Sequence, residues 1–108
     1  MTPRRDISEM ARFESIFAYV RRIPAGKVLS YGEVGRAVGE TARTVGWAMS
    51  GCPNDVPWHR VVGADGALRT ARRSPETYAE QKARLLAEGV EFDNAGRVVE
   101  GSFLTVES

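Results

Sequence analysis

The sequence of 108 residues is 43% apolar and 27% charged, with a net charge of +1, which is typical of one soluble globular domain. Its single cysteine, Cys52, excludes an intramolecular disulfide, and Cys52 with the single histidine, His59, is too small a set for a structural zinc site. No apolar run approaches the roughly 20 residues that span a bilayer, and the first residues lack the apolar segment of a signal peptide. We therefore expect one cytoplasmic domain (nucleoid-associated if bacterial) over residues 1–108, with a core over about 7–100, a tail over 101–108, and no metal, cofactor or membrane partner.

An amphipathic helix is predicted at the start of the chain, from about residue 7 to a stop before Pro24. Asp6 and Glu9 have the spacing of a capping box at its N-terminus. Apolar residues recur at intervals of three and four, so they share one helical face that can pack on a core. These residues are Ile7, Met10, Phe13, Ile16, Phe17 and Val20.

Two short helices joined by a tight turn are predicted next. Ser30 and Glu33 form a second capping box, and Gly39 is suited to end the helix that they begin. Thr41 can cap the following helix, which extends over about residues 42–50. This pattern predicts a helix-turn-helix whose second member is the recognition helix, although many helical pairs bind nothing.

The predicted recognition helix has a composition suited to close approach to another surface. Arg43 projects near its N-terminus, where the helix dipole also favours phosphate. Trp47 is the large apolar residue of this helix, and we interpret it as part of the core or of a site wall. A helix packed tightly on its neighbour would also need small residues, so the pattern alone leaves both interpretations open. The small residues are Ala42, Thr44, Gly46, Ala48 and Ser50.

The region after residue 62 is predicted to contain a turn, a strand and a loop. Residues 63–66 have the glycine and aspartate content of a turn, and residues 67–69 are predicted to return as a short strand. Residues 70–73 are predicted to be a polar, basic loop.

A last helix and a hairpin complete the chain. Ser74 and Pro75 provide the N-cap and the first-position proline of a helix that runs to about Glu88 and stops at Gly89. Residues 90–99 are predicted to form a hairpin, so the fold class is mainly α with short β hairpins, a winged helix-turn-helix. The apolar residues expected to face inward in the helix are Tyr78, Leu85 and Leu86, and Phe103 and Leu104 are expected to order part of the tail.

Charge is distributed unevenly along the chain. Residues 1–73 carry 12 Lys and Arg against 7 Asp and Glu, whereas residues 74–108 carry 3 against 7. Thirteen of the fifteen basic residues are Arg, which suits forked hydrogen bonds to phosphate, although a genome rich in G and C gives the same bias. A basic first two-thirds followed by an acidic remainder indicates one nucleic-acid-binding face.

Four stretches of the sequence together resemble the DNA-binding and active-site domain of O6-alkylguanine-DNA alkyltransferases. One of them, residues 57–62, places an indole, an imidazole and a guanidinium side by side, and alone it is equally consistent with a short core strand. The resemblance covers about residues 10–92 in the order and spacing of the family. The stretches are IPAGKVLSYG (23–32), ARTVGWAM (42–49), PWHRVV (57–62) and LLAEGV (85–90).

The sequence departs from the alkyltransferases at the residue that matters most for their chemistry. Their Pro-Cys-His-Arg motif contains the cysteine that accepts the alkyl group, and Trp58 stands at that position here. The N-terminal domain of the family also has no counterpart in this sequence. Both features resemble the alkyltransferase-like proteins, which bind alkylated guanine without removing the lesion and mark it for nucleotide excision repair. Cys52 stands where alkyltransferases usually have an asparagine.

The resemblance implies specific roles for residues of this chain. Tyr31 would press the phosphate 3′ of the lesion and rotate the nucleotide outward, and Arg43 would fill the gap left in the base stack. His59 and Glu88 would remain as a structural hydrogen-bond pair, and Arg60 would brace the fold. The further residues implied are Thr41, Ala42, Thr44 and Gly46 as DNA contacts, and Trp58, Val62, Arg69 and Arg72 beside Tyr31 in the lesion pocket.

The expected function is non-enzymatic recognition of O6-alkylguanine in double-stranded DNA, by a monomer that recruits nucleotide excision repair proteins. Two alternatives stay open: an active alkyltransferase that uses Cys52, and a winged-helix regulator that reads an unmodified sequence. An indole has no nucleophile comparable with a thiolate, so Trp58 cannot replace the missing acceptor. Cys52 follows the C-terminal end of a predicted helix, whose dipole disfavours a thiolate.

Overall fold

Four α-helices and a small parallel sheet form the framework of the described residues, which in the computed structural model are 7–105, with side chains described from residue 11 onward. The helices are α1 (Ile7–Val20), α2 (Tyr31–Val38), α3 (Ala42–Ser50) and α4 (Pro75–Ala87); the strands are β1 (Leu29–Ser30) and β2 (Val61–Val62); short 3-10 turns occupy Trp58–Arg60, Arg69–Arg72 and Glu100–Ser102. The mainly α fold class is confirmed. Within residues 7–105, none of the helices combines the length and apolar character that crossing a membrane requires.

The first helix begins and ends where the apolar spacing predicts. Ile16, Phe17 and Val20 are buried in the core, and Phe13 packs against them from a half-buried position. Asp6 lies outside the described residues, and the side chains of Ile7, Glu9 and Met10 lie outside the described side chains, so the predicted capping box and these two inward positions stay predictions.

The predicted caps of α2 and α3 are confirmed. The Ser30 hydroxyl accepts a hydrogen bond from the Glu33 backbone N–H at 3.0 Å, and Gly39 ends α2 in the left-handed region at φ 78°. The Thr41 hydroxyl accepts from the Thr44 backbone N–H at 3.1 Å. A Cβ at Gly35 would collide with the carbonyl oxygen of Glu40, so glycine at this position allows the tight approach of the turn. The helix-turn-helix therefore depends on two glycines with different functions.

The core divides into two clusters on either side of the β1–β2 pair. Leu29 and Val61, which are partners in register, point into the cluster formed by α1, α2 and α3. Val28 and Val62 point into the other cluster, with Leu68, Leu85, Val90 and Val98. This alternation is the two-residue period of extended chain. The strand pair therefore fixes the end of the Trp58–Arg60 turn between both clusters.

The return strand predicted over residues 67–69 is wrong. The Ala67 carbonyl accepts a hydrogen bond from the Gly63 N–H at 2.9 Å, which closes a turn, and the chain then enters the 3-10 turn Arg69–Arg72. Leu68 is buried in the second cluster, and the Thr70 hydroxyl bonds to α4. Side-chain anchoring at these two residues overrides the extended propensity of the segment.

Helix α4 starts as predicted, but the face that it buries in the core differs from the predicted one. The Ser74 hydroxyl accepts from the Thr77 N–H at 3.2 Å, ahead of Pro75. Leu85 is fully buried, whereas the prediction that Leu86 faces inward is wrong, because Leu86 is 53% exposed. Gln81, one helical turn before Leu85, is the fully buried neighbour on that face.

The C-terminal hairpin is confirmed as a short antiparallel contact. Phe92 pairs with Val98, and the Asp93 N–H donates to the Arg97 carbonyl at 2.8 Å. The chain then returns to the sheet, where Phe103 pairs with Val28 in parallel. The expected ordering of the tail at Phe103 and Leu104 is thus found, since the Leu104 N–H also donates to the Val28 carbonyl at 2.9 Å.

Candidate nucleic-acid interface

A cavity of about 450 Å³ lies between the exposed face of α3, the start of α2 and the turn after Leu68. Its lining combines small side chains, two aromatic rings and three guanidinium groups. A basic rim around a partly apolar interior suits a planar, electron-rich group attached to a phosphate backbone. The lining residues are Tyr31, Ala42, Arg43, Gly46, Trp47, Ser50, Arg69, Thr70 and Arg73.

Helix α3 shapes this cavity through the spacing of its small residues. Ala42, Gly46 and Ser50 recur every four residues and so share the stripe that faces the cavity. Apart from its own helix, no heavy atom of the described residues lies within 4 Å of the place that a Cβ at Gly46 would occupy. Tight packing on a neighbouring helix therefore does not explain this glycine. Open space at Gly46 favours close approach of an external surface.

Arg43 and Trp47 stand together on the next stripe of α3. The Cζ atom of Arg43 lies 5.6 Å from the centroid of the Trp47 ring, within the range of a cation–π contact. Trp47 is 59% exposed and lines the cavity, so the interpretation of Trp47 as a core residue is wrong.

Tyr31 enters the cavity from the first position of α2. Burial raises the pKa of its phenol above the ordinary value, against the opposing influence of Arg73 and Arg69. The phenol therefore remains protonated near neutral pH and can donate a hydrogen bond to a phosphate oxygen.

Gln81 holds the turn that carries Arg69 and Arg73. Its Oε1 accepts a hydrogen bond from the Thr70 Oγ1 at 2.6 Å. Its Nε2 donates to the carbonyl oxygens of His59 at 3.1 Å and Val61 at 3.2 Å. This fully buried amide therefore connects the cavity wall to the segment around Trp58–Arg60.

Arg69 is positioned by the turn that precedes it. A Cβ at Gly63 would lie 2.6 Å from the Arg69 Nε, so the guanidinium passes close to the backbone of Gly63. The Asp65 carboxylate accepts from the Arg69 Nη2 at 3.5 Å, a long contact between partly exposed groups. An ion pair of this length between partly exposed groups contributes little to stability.

Glu88 accepts hydrogen bonds from two distant parts of the chain. The His59 Nε2 lies 2.8 Å from its Oε2, the Arg60 Nη2 donates to the same oxygen at 2.8 Å, and the Gly26 N–H donates to Oε1 at 3.2 Å. Burial alone would raise the pKa of this carboxyl, but the hydrogen bonds from Arg60 and His59 lower it to about 2. Arg60 also donates to the Ile23 carbonyl at 2.7 Å. The carboxylate thus ties the Trp58–Arg60 turn to the segments on either side of it.

His59 is held neutral in this network. Burial lowers its pKa, against the stabilising influence of the Glu88 carboxylate. The neutral ring therefore donates from Nε2 to Glu88, and its buried Nδ1 has no hydrogen-bond partner among the described residues.

Three residues of the expected lesion pocket do not line the cavity. Trp58 is half-buried against the first core cluster, with its ring edge-on to His59 and the Arg84 guanidinium 5.7 Å from its centroid. Val62 is fully buried in the second cluster because β2 points it away from Val61. Arg72 is exposed outside the lining.

The predicted DNA contacts of α3 are partly at the cavity. Ala42, Arg43 and Gly46 line it, whereas Thr41 and Thr44 bond to each other at the helix N-terminus, with 3.0 Å between their hydroxyl oxygens. Thr70 and Arg73 line the cavity although the sequence singled out neither of them. The composition of residues 70–73 predicted a basic loop. The spacing of its arginines did not predict which of them lines the cavity.

Cys52 lies outside the cavity of Tyr31 and Arg43. It lines a neighbouring groove of about 530 Å³ that shares Trp47 and Ser50 with the cavity. Burial raises the pKa of the Cys52 thiol, so the reactive thiolate is disfavoured. Among the side chains described, those of residues 11–105, no three from His, Cys, Asp or Glu are grouped to hold a metal ion.

The comparison with protein families identifies the class to which this architecture belongs. The model described as "6-O-methylguanine DNA methyltransferase, DNA binding domain" matches residues 11–90. The chain belongs to this family.

Two relatives within the family are similar to this chain over most of its length. A Vibrio parahaemolyticus protein named DNA base-flipping protein is 37% identical over 87 residues, which are 77% of this chain and 84% of the relative. Alkyltransferase-like protein 1 of Schizosaccharomyces pombe is 41% identical over 84 residues, which are 74% of this chain and 77% of the relative. The chain is thus similar to proteins named for base flipping and for likeness to alkyltransferases.

Solved structures give the same result for the fold. Schizosaccharomyces pombe Atl1, in complex with damaged DNA containing O6-carboxymethylguanine, superposes with a TM-score of 0.77 at 33% identity, covering 90% of this chain and 97% of that one. The O6-methylguanine methyltransferase of Mycobacterium tuberculosis gives 0.58 at 30% identity, covering 79% of this chain and 50% of that one. The alkyltransferase-like fold is therefore shared over nearly the whole chain.

Proposed function

We propose that this protein recognises O6-alkylguanine in double-stranded DNA by flipping the damaged nucleotide into the cavity on α3, without transferring the alkyl group. The observation that carries the proposal is the cavity itself, which Tyr31, Arg43 and Arg69 line beside small residues of the recognition helix. Support comes from relatives named for base flipping and from the Atl1 complex with O6-carboxymethylguanine DNA.

Each cavity residue has a task in this proposal. Extruding a base costs a few kcal/mol, and less when alkylation has weakened its pairing. The Tyr31 phenol donates to the phosphate of the rotated nucleotide, and Arg43 enters the vacated space, where its guanidinium stacks on bases and bonds to the orphaned partner. Arg69 and Arg73 neutralise the backbone phosphates at the rim.

The absence of alkyl transfer follows from the residues around Trp58. The alkyltransferase frame of His59, Arg60 and Glu88 is present, but its acceptor position holds an indole, which is not a nucleophile under these conditions. Burial raises the pKa of the Cys52 thiol, which disfavours the thiolate that alkyl transfer requires. A lesion bound in this way persists, so we include nucleotide excision repair proteins as partners that would act on the marked site. The protein would act as a monomer.

A binding titration tests lesion recognition directly. Duplexes that differ only at one guanine, O6-methylated or not, are titrated with the protein at fixed salt, because phosphate contacts make affinity salt-dependent. We expect at least about tenfold tighter binding to the alkylated duplex, which corresponds to about 1.4 kcal/mol of reduced flipping cost. Equal affinities would refute the proposal, and a preference among unmodified sequences would support the winged-helix regulator instead.

A second arm tests the absence of chemistry. Incubation with duplex that carries a radiolabelled O6-methyl group should leave the label on the DNA. Label recovered on a peptide containing Cys52 would establish the alkyltransferase alternative. The titration and the label assay use the same duplex, so binding and transfer are measured on one substrate.

A further inference from the structure

We propose that Trp47 is a second DNA-contacting residue of the recognition helix, which holds the Arg43 guanidinium at the cavity rim and packs against the nucleotide next to the flipped one. This inference rests on the proposed function and adds a positioning residue to it. The geometric basis is the pairing of an exposed indole with Arg43 at the lip of the cavity.

The surroundings of Trp47 explain why an approaching duplex must meet it. It is 59% exposed, and its helical neighbours Ala42, Gly46 and Ser50 are all small. Trp47 also lies in the lining of both the 450 Å³ cavity and the 530 Å³ groove, so it forms the ridge between them. A nucleotide cannot be delivered to the cavity across α3 without its neighbour coming against this ridge. Aromatic rings stack on bases and sugars with little dependence on sequence.

The contact with Arg43 adds the positioning role. Arg43 and Trp47 are one helical turn apart, and the guanidinium carbon is 5.6 Å from the ring centroid. A free arginine samples many rotamers and loses that freedom when it enters the base stack. The indole restricts the guanidinium beforehand to the side where the stack opens. At an exposed site such a contact changes an equilibrium by about 2- to 5-fold.

Substitutions at Trp47 test both parts against a matched control. Trp47→Ala should weaken binding to O6-methylguanine duplex about 10-fold or more, because it removes the cation–π contact and the stacking surface together. Trp47→Phe keeps a ring and should stay within about 3-fold of the parent protein. Leu86→Ala is the control, since Leu86 is also a large exposed apolar side chain, at 53%, but lies on α4 outside the cavity. Affinity of Trp47→Ala equal to that of Leu86→Ala would overturn the inference.

A double-mutant cycle separates positioning from direct contact. If Trp47 acts partly through Arg43, Trp47→Ala should cost less in an Arg43→Ala background than in the parent protein. Strictly multiplicative losses would overturn the positioning role. Equal thermal unfolding midpoints for all variants would exclude a change of fold as the cause.

Fluorescence quenching measures the solvent accessibility of Trp47, which should change on DNA binding only if Trp47 contacts the DNA. The acrylamide-accessible part of the tryptophan emission, assigned to Trp47 by its loss in Trp47→Phe, should become protected when lesion duplex binds. Unchanged accessibility in a saturated complex would overturn the DNA contact. If the parent protein itself shows no lesion preference, the proposed function fails. If the parent protein prefers lesion duplex but Trp47→Ala binds that duplex as tightly as Leu86→Ala does, this inference alone fails.

Discussion

The two basic regions of the molecule use arginine in opposite ways. At the Glu88 network, Arg60 makes two hydrogen bonds to one carboxylate and a third to a backbone carbonyl, so its charge is fully engaged inside the fold. At the cavity, the Arg43 guanidinium lies 5.6 Å from the centroid of an exposed indole, and Arg73 lines the rim without an ion pair to the side chains of residues 11–105. The first arrangement stabilises a loop, and the second leaves charge for an external phosphate. The Glu88 network therefore serves the fold, while α3 carries the proposed function.

The largest expected effect is the loss of stability on substitution of Glu88, which tests whether the Glu88 network serves the fold. Glu88→Ala leaves the buried His59 and the Arg60 guanidinium without their shared acceptor, and removing one partner of a buried network costs about 3 kcal/mol of the free energy of unfolding. Urea denaturation at pH 7 measures this loss. Glu80→Ala is the control, because Glu80 pairs with Arg84 on the exposed side of α4 and surface pairs contribute little.

Binding by the folded fraction of Glu88→Ala provides the second half of that test. If the network serves only the fold, the preference for alkylated over unmodified duplex should persist per folded molecule. A complete loss of preference in a folded variant would mean that the network takes part in recognition, and the separation of the two regions would be wrong.

Arg43→Ala should produce the reverse pattern. The side chain is exposed on α3, so the free energy of unfolding should hardly change. Binding to O6-methylguanine duplex should weaken by about 30-fold, because the guanidinium no longer fills the stack or bonds to the orphaned base. Arg97→Ala removes the same charge from the exposed hairpin and should weaken binding far less. Equal losses in the two variants would reduce the role of Arg43 to net charge.

The sequence predicted the helices and their caps because those features depend on neighbours in the chain. Ser30, Thr41 and Ser74 each bond to a backbone N–H three residues later, so their function can be derived locally. The resemblance to the alkyltransferases identified Tyr31 and Arg43, whose spacing within helices fixes where they point.

The residues that the sequence missed depend on contacts between distant segments. In the sequence, Gln81 resembles any polar residue of an exposed helical face. In the structure it forms hydrogen bonds with Thr70, His59 and Val61. The bond to Thr70 also holds the chain after residues 67–69 in a turn instead of a strand. A glutamine on the apolar stripe between Tyr78 and Leu85 was the available signal, since a polar group at a core position needs partners. Arg73 lines the cavity and Arg72 does not, because of the way the 3-10 turn Arg69–Arg72 is rotated about its axis. The spacing of residues in the sequence does not predict that rotation.

The smallest expected effect is on the pH dependence of stability. It concerns Glu88 and His59, which both belong to the Glu88 network, so it tests whether that network stabilises the fold. The pKa of the Glu88 carboxyl is lowered to about 2, so its contribution to stability is fully present above the unfolded value of 4.5 and is lost as the pH falls towards 2. The pKa of His59 is also lowered, by burial, so the unfolded chain takes up a proton first when the pH falls through 6.5. Both shifts have the same sign, and stability should decline in two steps on acidification. Urea midpoints between pH 8 and pH 3 measure this decline, and Glu88→Gln should flatten the step below pH 5. An unaltered acid step in Glu88→Gln would show that other carboxyls produce it.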